Sequence, residues 1–454
     1  MALIELDLTA QPDPRLGFRP PAYRYRLPGL VLAAVLLFVL GGASTGAPTL
    51  WRYLGAVPPP SGSETQSRLV GDRVYTMASA DGERIATAWR VGAPPRKLWT
   101  VRFPARATGP DAVAYGGVEA RPAGDVVLLS DGPATTVVDA RTGAIRWRSP
   151  VGVAPLAGGR TGLVQSQVFR AGTLYDQDSG NPGLLYFSST GEPHTEPPVR
   201  TEVRGVDLRT GAAVWTAAAP GAVNVFAVPG DAPAALVLAS DRLDRIDGST
   251  GAVERTAPLP KIGGGGPVSG SLTDGLLVVH YGDYAVDGQE VAYGAVALDK
   301  RWQRAVPEVL LDPPNCGDVL CAGPRSALEV LDLATGRTAW HAPDEVDLEQ
   351  QSGYVLERDA STARPLRLVD RSTGVTRIDL DGWASALAAS ERGQPLLLRR
   401  SLDAGRSAFG VVLAGRGRVQ VVGASTGPVS DCAADRRYVM CRGDDGLQVW
   451  AYSS

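Results

Sequence analysis

Apolar positions along this chain come in short, repeated runs. Val126–Leu129, Leu236–Leu238, Leu276–Val279 and Leu396–Leu398 are continuous over three or four residues, in stretches punctuated by Gly, Asp and Ser. Runs this short and this apolar read as β-strands buried on both faces. A second pattern recurs downstream of them. An apolar strand runs into Asp, then Thr-Gly, then a strand that often ends in Trp. Asp139, Thr142 and Gly143, leading to Trp147, form the clearest copy. Asp207, Thr210 and Gly211 lead to Trp215, and Asp332, Thr335 and Gly336 lead to Trp340. Asp247, Thr250 and Gly251 repeat the turn, as do Asp370, Thr373 and Gly374. Val422 to Gly427 reads as a worn copy without the Asp, and two degenerate units end at Trp99 or hold Leu298-Asp299.

The motif has the physics of a β-hairpin. The Asp carboxylate accepts backbone N–H groups two residues on. Thr supports the turn, and Gly supplies a positive φ. A large aromatic at one place in each unit predicts a wedge between neighbouring units. Three or four strands per unit, packed face to face, make a propeller blade. Asp207 to Asp247 and Asp332 to Asp370 are separated by about 40 residues, the spacing of propeller repeats. Propeller repeats run about 40–50 residues, and residues 52–454 divided by eight give about 50 per blade, which predicts one all-β propeller of eight blades, with seven as the alternative. The last strands, Tyr438–Cys441 and Leu447–Tyr452, are expected to close the ring against strands near Leu69–Met77.

Ahead of the repeats, no charge occurs between Arg26 and Arg52. The window 27–50, densest at Leu30–Leu40, is long enough for one transmembrane helix, about 20 apolar residues being needed. Tyr23, Tyr25 and Trp51 stand where interfacial aromatics are expected. Arg15, Arg19, Arg24 and Arg26 precede the window, so the positive-inside rule predicts a cytoplasmic, disordered tail 1–26 and an extracytoplasmic propeller 51–454. This is a single-pass signal anchor at the cell membrane. A cleaved signal peptide with its site near Thr45-Gly46-Ala47 is the alternative. Ile4 to Leu8 alternates and is able to add to a partner's sheet edge.

Composition refines this picture. The chain has 54 Gly and 35 Pro in 454 residues, so turns are frequent and long helices few. A net charge of −3 carries no basic excess of the kind that points to nucleic acid. Only Lys97, Lys261 and Lys300 are lysines among 45 basic residues, an Arg bias that reads as a high-GC bacterial genome. Proximity pairs Cys316 with Cys321 and Cys432 with Cys441, and structural disulfides fit an oxidising exterior. Neither spacing is that of a zinc site.

The repeat V-D-x-x-T-G-x-x-x-W, best seen at Val138–Trp147, resembles that of quinoprotein-like β-propellers, the family named after pyrroloquinoline quinone dehydrogenases. The resemblance covers nearly all of 65–454 and implies the propeller fold. It also embraces non-enzymatic members, such as the outer-membrane assembly lipoprotein of Gram-negative bacteria, which are protein-binding scaffolds. The enzymes hold the quinone and Ca²⁺ with Glu, Asn and Asp, use an Asp base, and often carry two adjacent Cys. This chain has no Cys-Cys pair and only Asn181, Asn224 and Asn315. The lipid-attachment Cys of the assembly lipoprotein is lacking too.

Other motifs add little chemistry. Gly423-Ala424-Ser425-Thr426-Gly427 matches a nucleophile elbow but falls on the repeat's hairpin, where no strand-to-helix turn is expected. Gly263–Gly266 lacks the Lys-Ser/Thr of a phosphate loop and reads as an inter-blade linker. Within Asp176–Asn181 the carboxylates of Asp176 and Asp178 alternate as in a Ca²⁺ loop, without its Gly at position 6 and Glu at position 12. His280 reads as a core or channel residue and His341 as a surface one. The interval 168–200 is an oversized insertion in the blade that ends at Trp215. It carries Tyr175, Asp176, Asp178, Tyr186, Phe187 and His194 and is the candidate binding loop, with a disordered excursion as the alternative. The expectation is a non-catalytic binding or scaffold propeller with no cofactor and a protein or cell-wall partner. A divergent quinone dehydrogenase using pyrroloquinoline quinone and Ca²⁺, and a ligand sensor signalling through tail 1–26, are the alternatives.

Overall fold

The computed structural model describes residues 51–105, 118–282 apart from 177, 179 and 182, 288–306, 316–389 apart from 352, and 395–453. The tail 1–26, the window 27–50 and Asn315 lie outside the described residues. Among the described residues no helix is long and apolar enough to cross a membrane.

Antiparallel sheets follow one another along the chain as propeller blades. Blade 1 is Ser63–Pro104, blade 2 Val118–Ser149 and blade 3 Val153–Pro220. Blade 4 is Asn224–Pro258, blade 5 Pro267–Ala305 and blade 6 Cys321–His341. Blade 7 is Val346–Asp379, blade 8 Ser385–Ala424, and blade 9 joins Ser430–Tyr452 to Trp51–Val57. Blades 1–5, 7 and 8 have four strands in sequence order, and blade 6 has three among the described residues; blade 9 has three in sequence order plus Trp51–Val57, and Ala388–Ala389 adds a short parallel pairing to its inner edge. The second strands of the blades carry the buried apolar runs, packed between the blades on either side. Val126–Leu129 and Leu276–Val279 are all buried, as the apolar runs require.

The propeller therefore has nine blades, not eight or seven. Three features hide the extra unit in the sequence. Blade 5 has Gly294 where its neighbours have the turn Asp, and blade 6 is short. Blade 9 takes its outer strand from the N-terminus.

Ring closure also differs from expectation. Trp51–Val57 pairs antiparallel with Gly446–Tyr452, Trp51 opposite Tyr452. Leu69–Met77 belongs to blade 1 instead. Trp51 is not an interfacial aromatic but a blade residue, stacked 4.9 Å from Phe409 and 5.5 Å from Trp450. The closing strand carries its own apolar alternation, Leu54 and Val57 being buried in the cluster with Met440, Leu447 and Val449.

Strand order gives the propeller two distinct ends. Turns joining first to second and third to fourth strands lie at one, here called the Asp-turn end. Turns joining second to third strands, and the links to the next blade, lie at the other. Trp51 and Tyr452 meet at the Asp-turn end.

Candidate binding site

The repeat turns come first, because they fix the frame. Asp139 Oδ1 accepts the Arg141 and Thr142 amides at 3.0 and 2.8 Å and the Thr142 hydroxyl at 2.8 Å. Asp207 and Asp247 do the same with Thr210 and Thr250, and Asp332 with Thr335. Asp370 accepts from Ser372 and Thr373. These bonds stabilise the carboxylate form. The Arg146 guanidinium, then Thr142, holds Asp139 well below the usual carboxylate range. Ser249 and Thr250 lower Asp247 to about 2.

Each docked Trp lies on the Gly of the next blade's turn. The Trp99 ring covers Gly143, Trp147 covers Gly211, Trp215 covers Gly251 and Trp340 covers Gly374. In each the indole N–H donates to the carbonyl one residue past the turn Asp: Ala140, Leu208, Gly248 and Arg371, at 2.8–3.1 Å. Trp302 does the same over Gly336 and Leu333. The sequence reading missed Trp302, although it stands four residues after Leu298, the spacing of the other copies. It also missed Asp359-Ala360-Ser361-Thr362, a further copy of the Asp turn, on the opposite end of blade 7.

Val422–Gly427 is not a hairpin turn. Val422–Ala424 ends the outer strand of blade 8, whose actual turn is Ala414–Gly417. Gly423 lies under the Trp51 ring. Ser425 is buried, accepts the Ser407 amide at 2.8 Å and donates to the Gly427 carbonyl at 2.6 Å. A loop to blade 9 follows, not a helix.

The described residues of the insertion form a small sheet of their own. The insertion leaves blade 3 between Thr161–Val168 and Arg200–Asp207, at the end opposite the Asp turns. Tyr186–Phe187 pairs with Pro193–His194, and Leu174 bridges to the other side of His194. The Tyr175 amide donates to Pro193 and the Thr195 amide to Thr173, so three segments lie side by side. His194 is used up internally: its ring stacks 3.7 Å from Phe169 and its Nδ1 lies 3.1 Å from the Thr173 hydroxyl. Arg170 pairs with Glu196 at 3.1 Å. Asp176 Oδ1 caps the Asp178 amide, and the Tyr175 hydroxyl donates to the Gly180 carbonyl.

Three large apolar side chains of this hairpin face water. Leu184 is 71% exposed, Leu174 60% and Phe187 58%. Exposed single apolar residues are ordinary, but these three and Val199, 48% exposed, belong to one insertion, whereas the others are spread over the blades. Asp176 and Asp178 are exposed on the same loop. The sequence reading named Phe187 and not the two Leu, whose signal was an apolar residue in an otherwise Gly-, Asp- and Pro-rich stretch.

A cavity of about 310 Å³ lies near the axis between blades 2, 3 and 4, lined by Arg121, Ser130, Gln165 and Val225 among others. It opens because the innermost strand of blade 3, Val153–Pro155, is only three residues long. Nearby, Arg68 and Arg121 share the single carboxylate of Glu119. Between blades 1 and 2, buried Arg84 is held by Glu64 and Asp131.

Quinone chemistry asks for Asn, Glu and Asp converging at the axis. Asn181 sits on the outlying hairpin and Asn224 on the innermost strand of blade 4, so they do not meet. Among the described residues no group of three His, Cys, Asp or Glu side chains is placed to hold a metal ion. His280 Nδ1 lies 3.3 Å from Glu290 on blade 5, and His341 is exposed on blade 6. Gly263–Gly266 does link blades 4 and 5. Cys316–Cys321 and Cys432–Cys441 are disulfides.

No model of a protein family matches the chain. No curated protein matches it either. Solved structures similar to it include BamB from Moraxella catarrhalis, 14% identical, covering 89% of this chain and 98% of that one at a TM-score of 0.37. A europium-containing methanol dehydrogenase is 12% identical, covering 89% and 93% at a TM-score of 0.37. The dihydro-heme d1 dehydrogenase NirN is 15% identical, covering 82% and 78% at 0.42. At such identities and scores none of them assigns a role to this chain, and the propeller stands on its own strand order.

Proposed function

We propose that this chain is a non-catalytic binding propeller of the cell envelope, anchored by 27–50, whose partner is a protein gripped by the blade 3 hairpin. The observation that carries the reading is the set of exposed Leu174, Leu184 and Phe187 on one loop. Apolar side chains cost free energy in water, about 25 cal/mol per Å² of surface left uncovered. A hairpin that turns large apolar side chains outward gains by being covered. It is mounted on a rigid blade, which is how loops are positioned for recognition.

In-cell photocrosslinking tests this. A benzophenone side chain at Phe187 is expected to capture a discrete protein, while the same group at Val253, exposed on the outer strand of blade 4, captures none. Identical adducts from both positions, or none from Phe187, would overturn the reading. Titration of residues 51–454 with pyrroloquinoline quinone and Ca²⁺ checks the enzymatic alternative. Saturable binding with a raised melting temperature and turnover of an alcohol would replace the proposal.

A further inference from the structure

Ion pairing leaves the two ends of the propeller with opposite charge. At the Asp-turn end, Arg209 is matched by Asp125, Arg371 by Asp274 and Arg301 by Asp299. Arg141, Arg160, Arg337, Arg416, Arg418 and Arg436 are exposed at this end and have no acidic partner among the described residues. They are spread over blades 2, 3, 6, 8 and 9. The turn carboxylates of Asp207, Asp247 and Asp332, hydrogen-bonded to their own turns, and exposed Asp231 offset part of this charge. The balance at the opposite end is acidic. Asp81, Asp344, Glu345, Asp403, Asp444 and Asp445 are exposed there without a basic partner among the described residues, against exposed Lys261 and Arg406.

The chain as a whole is slightly acidic, at −3. Its spare positive charge is therefore segregated rather than abundant. The basic end is also where the chain enters the propeller, since Trp51 lies opposite Tyr452, with Arg52 exposed beside it. The residues that precede Trp51 in sequence are the charge-free stretch of bilayer length.

We propose that the Asp-turn end is a membrane-facing surface that rests on anionic phospholipid headgroups. Guanidinium groups suit phosphate oxygens, which they meet with paired N–H donors. Several such groups spread over one end favour a flat, multiply charged surface over a single small anion. The hairpin lies at the other end, so the same placement leaves it free for a partner. This inference goes beyond the binding role proposed for the hairpin and does not depend on it.

The test uses residues 51–454, which contain every strand of the ring, with sedimented vesicles of phosphatidylcholine alone or with about one-third phosphatidylglycerol. Binding is expected to the anionic vesicles only and to be released by high salt. The triple variant R337Q/R416Q/R436Q is expected to bind about 100-fold more weakly, from a rough tenfold or less per charge. D403N/D444N, at the other end, is expected to bind as the parent does. No binding to anionic vesicles, equal binding to both kinds, or a triple variant that melts and binds like the parent would each overturn the proposal. Should the variant fail to fold, the salt titration of the parent decides. The hairpin crosslink is a separate readout, so the two proposals fail independently.

Discussion

At the scale of single residues, the turn Gly is required for two reasons of unequal strength. Positive φ alone is tolerated elsewhere: Leu298 has φ 57° and Ala363 φ 56°. What excludes a side chain at Gly336 is the Trp302 ring, which a Cβ would meet at 2.5 Å. Leu298 confirms this logic from the other side. It holds the Gly position of blade 5, and blade 4, which would have supplied the ring, has Arg255 in place of Trp. Arg245 instead donates to the Ala295 carbonyl at 3.2 Å, the bond a Trp would have made. Gly336→Ala is therefore expected to cost about 2–4 kcal/mol in urea unfolding, overpacking added to left-handed strain. Ala363→Gly, with no ring above it, is expected to be neutral or to stabilise by up to about 1 kcal/mol. Trp302→Ala is expected to cost about 3–5 kcal/mol, and Trp302→Phe less, since the ring stays while the indole N–H is lost. Asp, Thr, Gly and most of the Trp were legible because the motif is local. The ring-on-glycine contact was not, because it joins residues from 34 to 64 apart, one blade to the next.

At the scale of elements, the second strands were legible as apolar runs, since burial on both faces leaves no polar position. The closing strand was not, because Trp51–Val57 alternates weakly and follows a stretch whose hydrophobicity dominates the local pattern. Its pairing with Gly446–Tyr452 joins residues some 400 positions apart. A chain starting at residue 58 is expected to lose the single cooperative melting transition shown by one starting at 51, with blade 9 edges left unpaired. A polar knot holds the start of the ring. Arg84 is 1% exposed and shared by Glu64 and Asp131, linking blades 1 and 2. Arg84→Ala leaves two carboxylates facing each other and is expected to destabilise by about 3–5 kcal/mol, measured by denaturant unfolding. The insertion is different in kind. Val168 pairs with Arg200 just as Ala80 pairs with Glu83 in blade 1, where Asp81-Gly82 suffices as the turn. Blade 3 does not need its hairpin in order to fold.

At the scale of the whole molecule, the Asp turns couple stability to pH. Ser249 lowers Asp247, and Ser361 lowers Asp359, to about 2. Unfolded Asp titrates near 3.9, so protonation is favoured in the unfolded chain first. The turns' contribution is complete above about pH 4 and is lost as pH falls through about 2. The melting temperature is expected to be flat from pH 7 to pH 5 and to drop steeply between pH 4 and pH 2. Blade number was not legible at this scale. A blade without its Asp, a short blade and a blade split between the two termini all depart from the motif while keeping the sheet.

The most direct measurement replaces residues 169–199 by Asp-Gly and repeats crosslinking in cells with a membrane-permeant reagent. The account expects a melting temperature close to the parent's and loss of the partner adduct. A well-folded variant that keeps the adduct would contradict the assignment of binding to the hairpin.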